Sequence, residues 1–168
     1  MRIRPGTPDD IDVVLTLFDE NVAWLVKRRR SAQWGDEPWS GDEKKVGFVR
    51  DLLAEGTFTI AEIDDSAVGA SLIADHPMHY VPPLNEPERY LKLLIASPRH
   101  RGTKIGKHLI ELAREHTVAQ GVSVLRVDCY SGGDRKLVDY YLSQGFIPTE
   151  EIEVRPGTSV QVFEWRPS

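Results

Sequence analysis

The residues with the clearest chemistry lie in one run, Leu94-Ile95-Ala96-Ser97-Pro98-Arg99-His100-Arg101-Gly102-Thr103-Lys104-Ile105-Gly106. An apolar, strand-like segment stops at Ser97-Pro98 and a basic turn follows. The spacing of Ile105, Leu109, Leu112 and Ala113 then predicts a helix from about Lys104 to Gln120. The first turn of a helix carries N–H groups without intrahelical acceptors at the positive end of its dipole, so it suits a phosphate or pyrophosphate. Glycines at 102 and 106 let the backbone approach such an anion, and the neighbouring basic side chains add charge. A capped strand-to-helix connection with no ligand has the same local pattern. Two nucleotide motifs fail here. Gly102 and Gly106 enclose three residues where a Walker loop needs four, Lys107 is followed by His108, and no Gly-x-Gly-x-x-Gly opens a βαβ unit.

Arg101-Gly102-Thr103-Lys104-Ile105-Gly106 resembles the signature of the GNAT superfamily of N-acetyltransferases, Arg/Gln-x-x-Gly-x-Gly/Ala between a strand and a helix. Arg101 and Gly106 match, and Lys104 stands where the family usually has its first glycine. A second match follows in order. Tyr141, Gly145 and Phe146 fit Asn-x-x-Ala-x-x-x-Tyr-x-x-x-Gly-Phe, with Leu137 in place of the alanine and Asp134 at the asparagine position. The resemblance implies acetyl-CoA as co-substrate. It implies a pyrophosphate held by Arg101, Gly102, Thr103, Lys104, Ile105 and Gly106, a pantetheine arm along the backbone of Leu94 and Ala96, and a further cofactor contact at Asp134. It also implies that Tyr141 protonates the departing thiolate, which a phenol with a reference pKa of ~10 can do at neutral pH. The alternative is that Tyr141 is a core aromatic beside Phe146. Tyr140 points about 100° away around the helix.

The implied reaction is transfer of the acetyl group to a primary amine of a small molecule, by direct attack through a tetrahedral intermediate. A peptide or protein amine, or a non-catalytic acyl-CoA sensor, remain alternatives. The attacking amine must be neutral, so the reaction needs a proton acceptor and donors for the oxyanion. Asp128, at the end of a strand near the motif, is the first candidate base, followed by Asp75 and Glu37; backbone around Leu94 to Ala96 is the oxyanion donor by family analogy. The superfamily draws acceptor specificity from the region between the first two helices and from the loop before the cofactor strand. Here these contain Trp24, Gln33, Trp34, Glu37, Trp39 and His76 to Tyr80. Trp34, Trp39, Glu37 and His76 are the candidate acceptor contacts, although the tryptophans could equally pack a loop onto the core.

The elements that position these residues follow from periodicity. A short strand surrounds Ile3, and Thr7-Pro8-Asp9-Asp10 starts a helix with Ile11, Val14, Leu15, Phe18, Val22 and Leu25 on its inner stripe. Lys27 to Asp42 reads as a loop, with Arg28-Arg29-Arg30 a solvated helix end. Lys44 to Leu53 predicts a second helix. Strands are expected at Thr57–Ile63, Ala67–Ala74, Tyr90–Ala96 and Val122–Val127, and His76–Pro87, with four prolines, is an irregular loop. A last helix over Arg135–Ser143 precedes two short strands around the turn Arg155-Pro156-Gly157-Thr158. The order predicts an α/β (α+β) protein with a mixed central sheet flanked by helices, in one domain over residues 1–168, and the resemblance implies that this is the GNAT fold.

The chain has 168 residues, 40% of them hydrophobic and 28% charged, enough to bury a sizeable core. Its formal net charge of −5 argues against a general affinity for nucleic acid or anionic membrane. Cys129 is the only cysteine, which excludes an intramolecular disulfide and a cysteine metal cluster. His76-Pro77-Met78-His79 has no third ligand nearby, so no metal site is expected. The N-terminus lacks a long apolar run, so a cytoplasmic protein is expected. The resemblance implies a homodimer through the C-terminal strands or neighbouring helices, and the alternation in Val160-Gln161-Val162-Phe163-Glu164-Trp165 suggests a half-buried strand there that pairing would protect.

Overall fold

The computed structural model describes residues 1–30 and 34–168. Gln33 therefore lies outside the described residues. The elements are β1 (Arg2–Pro5), α1 (Ile11–Lys27), α2 (Glu43–Leu53), β2 (Thr57–Ile63), β3 (Ser66–Ala74), β4 (Arg89–Ala96), α3 (Ile105–Ala119), β5 (Leu125–Tyr130), α4 (Lys136–Ser143), β6 (Ile147–Arg155) and β7 (Thr158–Trp165). The strands form a mixed seven-stranded sheet in the order β1-β2-β3-β4-β5-β7-β6. With the four α-helices among the described residues this is the expected α+β arrangement. The contacts divide into two compact units, Met1–Leu72 with Leu93–Ile110, and Ile73–Lys92 with Glu111–Ser168.

In the first unit, α1 buries Val14, Leu17, Phe18, Val22 and Leu25. Its entry is held by Asp10, whose carboxylate accepts from Thr7 N–H at 2.9 Å and from both Nη atoms of Arg4 at 2.9 and 2.8 Å. Gly69 in β3 lets α3 approach closely, since a Cβ there would lie 2.7 Å from Ile105 Cγ2 and 3.1 Å from the Ile95 carbonyl. The Arg4 guanidinium holds the Asp10 carboxyl down at about 2, below the usual 3.8. A carboxyl depressed by folding stabilises the fold above its unfolded pKa and loses that contribution as pH falls through its folded pKa. The stability gap between wild type and Asp10→Asn should therefore be full above about pH 4 and shrink toward about pH 2. Denaturant melts at each pH measure it, and a pH-independent gap would contradict the assignment.

In the second unit, β4 and β5 pair in parallel over Arg89–Leu91 and Leu125–Val127, and β5 pairs antiparallel with β7 along its whole length. Tyr90, Val124, Leu125, Val162 and Phe163 are fully buried. Two expectations need correction. The strand expected at Val122–Val127 runs instead over Leu125–Tyr130. Gly121, with φ 69°, ends α3, and Val122 N–H then bonds back to the Thr117 carbonyl. Val122 and Val124 are buried, which is why they read as strand. The C-terminal strands are also not short, with nine and eight residues. Val160 to Phe163 are buried consecutively, so side chains on both faces of β7 are covered, and β7 lies between β5 and β6. β6 is the edge, and Pro148, its bulges and its glutamates are features that discourage another strand from adding there.

Candidate functional site

The basic turn between β4 and α3 lies in the first unit. β4 ends at Ala96, and Ser97 caps a single 3-10 turn over Pro98–His100, its Oγ accepting Arg99 N–H at 3.3 Å. Gly102 has φ 84° and an open space where a Cβ would be, so the backbone there can approach a ligand. Lys104 has φ 61°, the left-handed region, which accounts for the family's glycine at this position. The turn delivers the chain into α3. The first helical bond is His108 N–H to the Lys104 carbonyl at 3.0 Å, so the N–H groups of Ile105, Gly106 and Lys107 have no intrahelical acceptor. Residues 101–104 before these donors are exposed, as is Lys107, while Ile105 is buried and Gly106 half-buried. Converting Lys104 to glycine should remove a strained left-handed residue and stabilise the fold by about 1 kcal/mol. Chemical denaturation reads the gain, and an unchanged midpoint would show that the Lys104 side chain itself stabilises the turn.

Two residues of α1, absent from the sequence-based candidates, clamp this turn. Asn21 Nδ2 donates to the Ala96 carbonyl at 2.9 Å and to the Leu17 carbonyl at 2.8 Å. Glu20 accepts from Ser97 Oγ at 2.6 Å and from Arg99 Nη2 at 3.1 Å. The available signal was an asparagine in the middle of a helix, where its propensity is poor and a tertiary partner is the usual reason to find it. Of the two expected pantetheine contacts, Leu94 is half-buried in β4, and the Ala96 carbonyl is already engaged by Asn21. The arginines expected as a solvated helix end are partly organised. Arg28 and Arg101 place their guanidinium carbons 3.8 and 4.4 Å from the Trp24 ring centroid, and Arg30 lies at 5.8 Å. This stacking fixes positive charge next to the turn.

The tryptophans between α1 and α2 pack on one another. Trp39 stacks on Phe18 at 4.3 Å, Trp34 lies 5.2 Å from Phe18, and Trp39 Nε1 donates to the Trp34 carbonyl at 3.0 Å. Asp19 ties the same loop down through Trp39 N–H at 2.7 Å and Ser40 Oγ at 2.5 Å. The rings of Trp34 and Trp39 thus pack on Phe18, both half-buried, while Glu37 is exposed.

The second unit holds the remaining candidates. Tyr141, on the inner face of α4, is 6% exposed, with ring centroids 5.8 Å from Phe146 and 5.6 Å from Phe163. Burial pushes its phenol well above 10, with the Cys129, Tyr140 and Asp128 charges acting in the same direction. It stays protonated throughout the physiological range, as an acid must. Tyr140 is half-buried, its ring 5.3 Å from Tyr141 and nearly perpendicular. Asp134 is exposed, and its Oδ1 accepts Lys136 N–H at 3.1 Å at the start of α4. His76 pairs with Asp75 through Nδ1 at 2.9 Å, both exposed. Burial raises the Cys129 thiol to about 12, which keeps it from acting as a thiolate.

Asp128 has two partners that the sequence reading missed. Tyr80 Oη donates to its Oδ1 at 2.8 Å and Tyr90 Oη to its Oδ2 at 2.5 Å. Burial lifts the Asp128 carboxyl above the usual range, against the two phenol hydrogen bonds and Arg126. A carboxylate with a raised pKa is a better proton acceptor than an exposed one. On the same strand Arg126 forms a buried ion pair with Glu88, Nε to Oε1 at 2.8 Å and Nη2 to Oε2 at 3.1 Å, and donates to the Pro82 carbonyl at 3.0 Å. With Leu84 N–H bonded to Glu88 Oε2 at 2.9 Å, this pair holds the proline-rich loop before β4.

The strand–turn–helix geometry suits a ligand that carries a pyrophosphate. The chain belongs to the acetyltransferase (GNAT) family, whose sequence model matches residues 20–146. A GNAT-family acetyltransferase from Listeria monocytogenes 4b F2365 superposes with a TM-score of 0.71 at 20% identity, over 99% of this chain and 94% of that one. An acetyltransferase from Thermus thermophilus gives 0.69 at 20% identity, over 99% and 96%. The yncA protein of Salmonella typhimurium, solved with acetyl-CoA, gives 0.64 at 16% identity, over 99% and 93%. At these identities the likeness is one of fold. No curated protein matches the sequence. Among the described residues no helix is long and apolar enough to cross a membrane.

Proposed function

We propose that residues 1–168 act as one N-acetyltransferase domain that moves the acetyl group of acetyl-CoA to a primary amine of a small molecule. The observation that carries this reading is the turn Gly102–Lys104. Its left-handed backbone at Gly102 and Lys104 opens the first turn of α3, with three N–H groups lacking helical acceptors, beside Arg101. These groups suit a pyrophosphate, which is what distinguishes a CoA ester from other acyl donors. Asp128 is the proton acceptor in this reading, and Tyr141 the donor to the departing thiolate. Asp128 fits its role because burial raises its carboxyl, and Tyr141 because burial keeps its phenol protonated. A homodimer belongs to the same reading, and a contact through the C-terminal strands would have to use β6, since β7 is enclosed.

The test combines binding and turnover on the purified chain. Acetyl-CoA affinity is measured by calorimetry, and free-thiol release is followed with polyamines, arylalkylamines, amino sugars, amino acids and lysyl or N-terminal peptides. Acetyl-CoA binding with release on a small amine is the expected result. Release on peptides alone would move the acceptor to protein amines. Binding without release on any amine would mark a sensor, and preference for ATP or NAD over CoA would overturn the reading.

A further inference from the structure

We propose that Tyr80 relays the acceptor's proton, its phenol oxygen taking a proton from the substrate ammonium while its own proton passes to Asp128. The inference rests on the transferase reading and adds a residue to it. Each oxygen of Asp128 already holds a phenol, Tyr80 on Oδ1 at 2.8 Å and Tyr90 on Oδ2 at 2.5 Å. Tyr90 is 0% exposed in the cluster with Val81 and Val162, so substrate cannot reach its hydroxyl. Tyr80 and Asp128 are only half-buried. Of the two phenols on the carboxylate, Tyr80 is therefore the one a ligand can meet.

Its position is held from several sides. The Tyr80 side chain packs against the Val81–Tyr90–Val162 cluster, and the His79 ring lies edge-on at 5.2 Å. The chain following it is pinned where Arg126 bonds the Pro82 carbonyl and Glu88 accepts Leu84 N–H. The groups acting on Asp128 are Tyr80 from the loop, Tyr90 from β4 and Arg126 from β5, with Cys129 beside it and Tyr141 from α4 sensing its charge. Arg126 is committed to Glu88, and the phenols and thiol are all raised by burial, which leaves the Asp128 carboxylate as the acceptor in the cluster. The step balances. One ammonium N–H bond breaks and one O–H bond forms on Tyr80, while the Tyr80 O–H breaks and a new O–H forms on Asp128. The products are a neutral amine, an intact phenol and a carboxylic acid.

The experiment measures kcat/KM against pH with acetyl-CoA and the primary alkylamine that releases thiol fastest in the panel. Wild type should reach a plateau once Asp128 is ionised. Tyr80→Phe keeps the ring and its packing but breaks the relay, so turnover near pH 7 should fall roughly 10²-fold. The variant then depends on amine already neutral in solution, so its rate should climb about tenfold per pH unit toward the amine's own pKa of about 10. Asp128→Asn should show the same climb, and the double variant should lose no more than Asp128→Asn alone, as expected of groups acting as a unit. A Tyr80→Phe profile lowered equally at every pH would assign Tyr80 to loop positioning and overturn the relay, as would wild-type turnover. Wild type that binds acetyl-CoA yet releases no thiol with any amine would overturn the transferase reading itself, an outcome distinct from any loss confined to the variants.

Discussion

Tyr141→Phe is expected to lower kcat by about 10²–10⁴-fold, the range for a lost general acid, with acetyl-CoA affinity and stability close to wild type. The substitution removes one hydroxyl and leaves the ring packed against Phe146 and Phe163. The loss would fall at the lower end if water reaches the sulfur, because a thiolate is a fair leaving group. A free phenol would shape the high-pH limb of the rate profile, but burial holds this one well above 10. The wild-type profile should therefore show no Tyr141 limb up to about pH 10. Tyr140→Phe is the control, since that half-buried residue lies on a different face of the helix. Thiol-release kinetics and calorimetry separate the readings. Wild-type turnover in both variants would make Tyr141 a core aromatic only, and loss in Tyr140→Phe alone would shift the acid by one residue.

Glu88→Ala should produce the largest change in stability. The Arg126 and Glu88 side chains are 3% and 4% exposed, and the guanidinium also lies 5.5 Å from the Tyr90 ring centroid. Deleting the carboxylate leaves a buried cation with the Pro82 carbonyl as its remaining described acceptor and strands Leu84 N–H. Breaking one partner out of such a pair costs about 3–5 kcal/mol, because desolvation of the survivor is no longer offset. Glu88→Gln keeps an acceptor in place and should cost less. Denaturant melts at neutral pH measure both. Glu88→Ala within experimental error of wild type would mean that water enters and solvates Arg126. Because the pair also pins the Tyr80 loop, Glu88→Ala should reduce turnover together with stability, in contrast to Tyr80→Phe.

What could be read from the residues alone was local. The strand, basic turn and helix from Leu94 to Gly106 are contiguous, and their breakers, caps and periodicity are properties of neighbours in the chain. Lys104 was legible only as a departure from glycine, and its φ of 61° supplies the reason. Tyr141 was legible from its place in the second family motif, and Asp128 as a carboxylate at the end of a strand near the motif. Their environments were not. The contacts that hold the candidate residues within each unit join positions far apart: in one, Asn21 to Ala96 across 75 and Glu20 to Ser97 across 77, and in the other, Asp128 to Tyr80 and Tyr90 across 48 and 38. The C-terminal strand misled for the same reason. Apolar alternation cannot say whether a strand lies at an edge or in the middle of a sheet, and β7 is enclosed. Periodicity records the geometry of one helix or strand, with a reach of a few residues. Which side chains meet across the fold depends on strand order, register and loop path, and these are set when the whole core packs together.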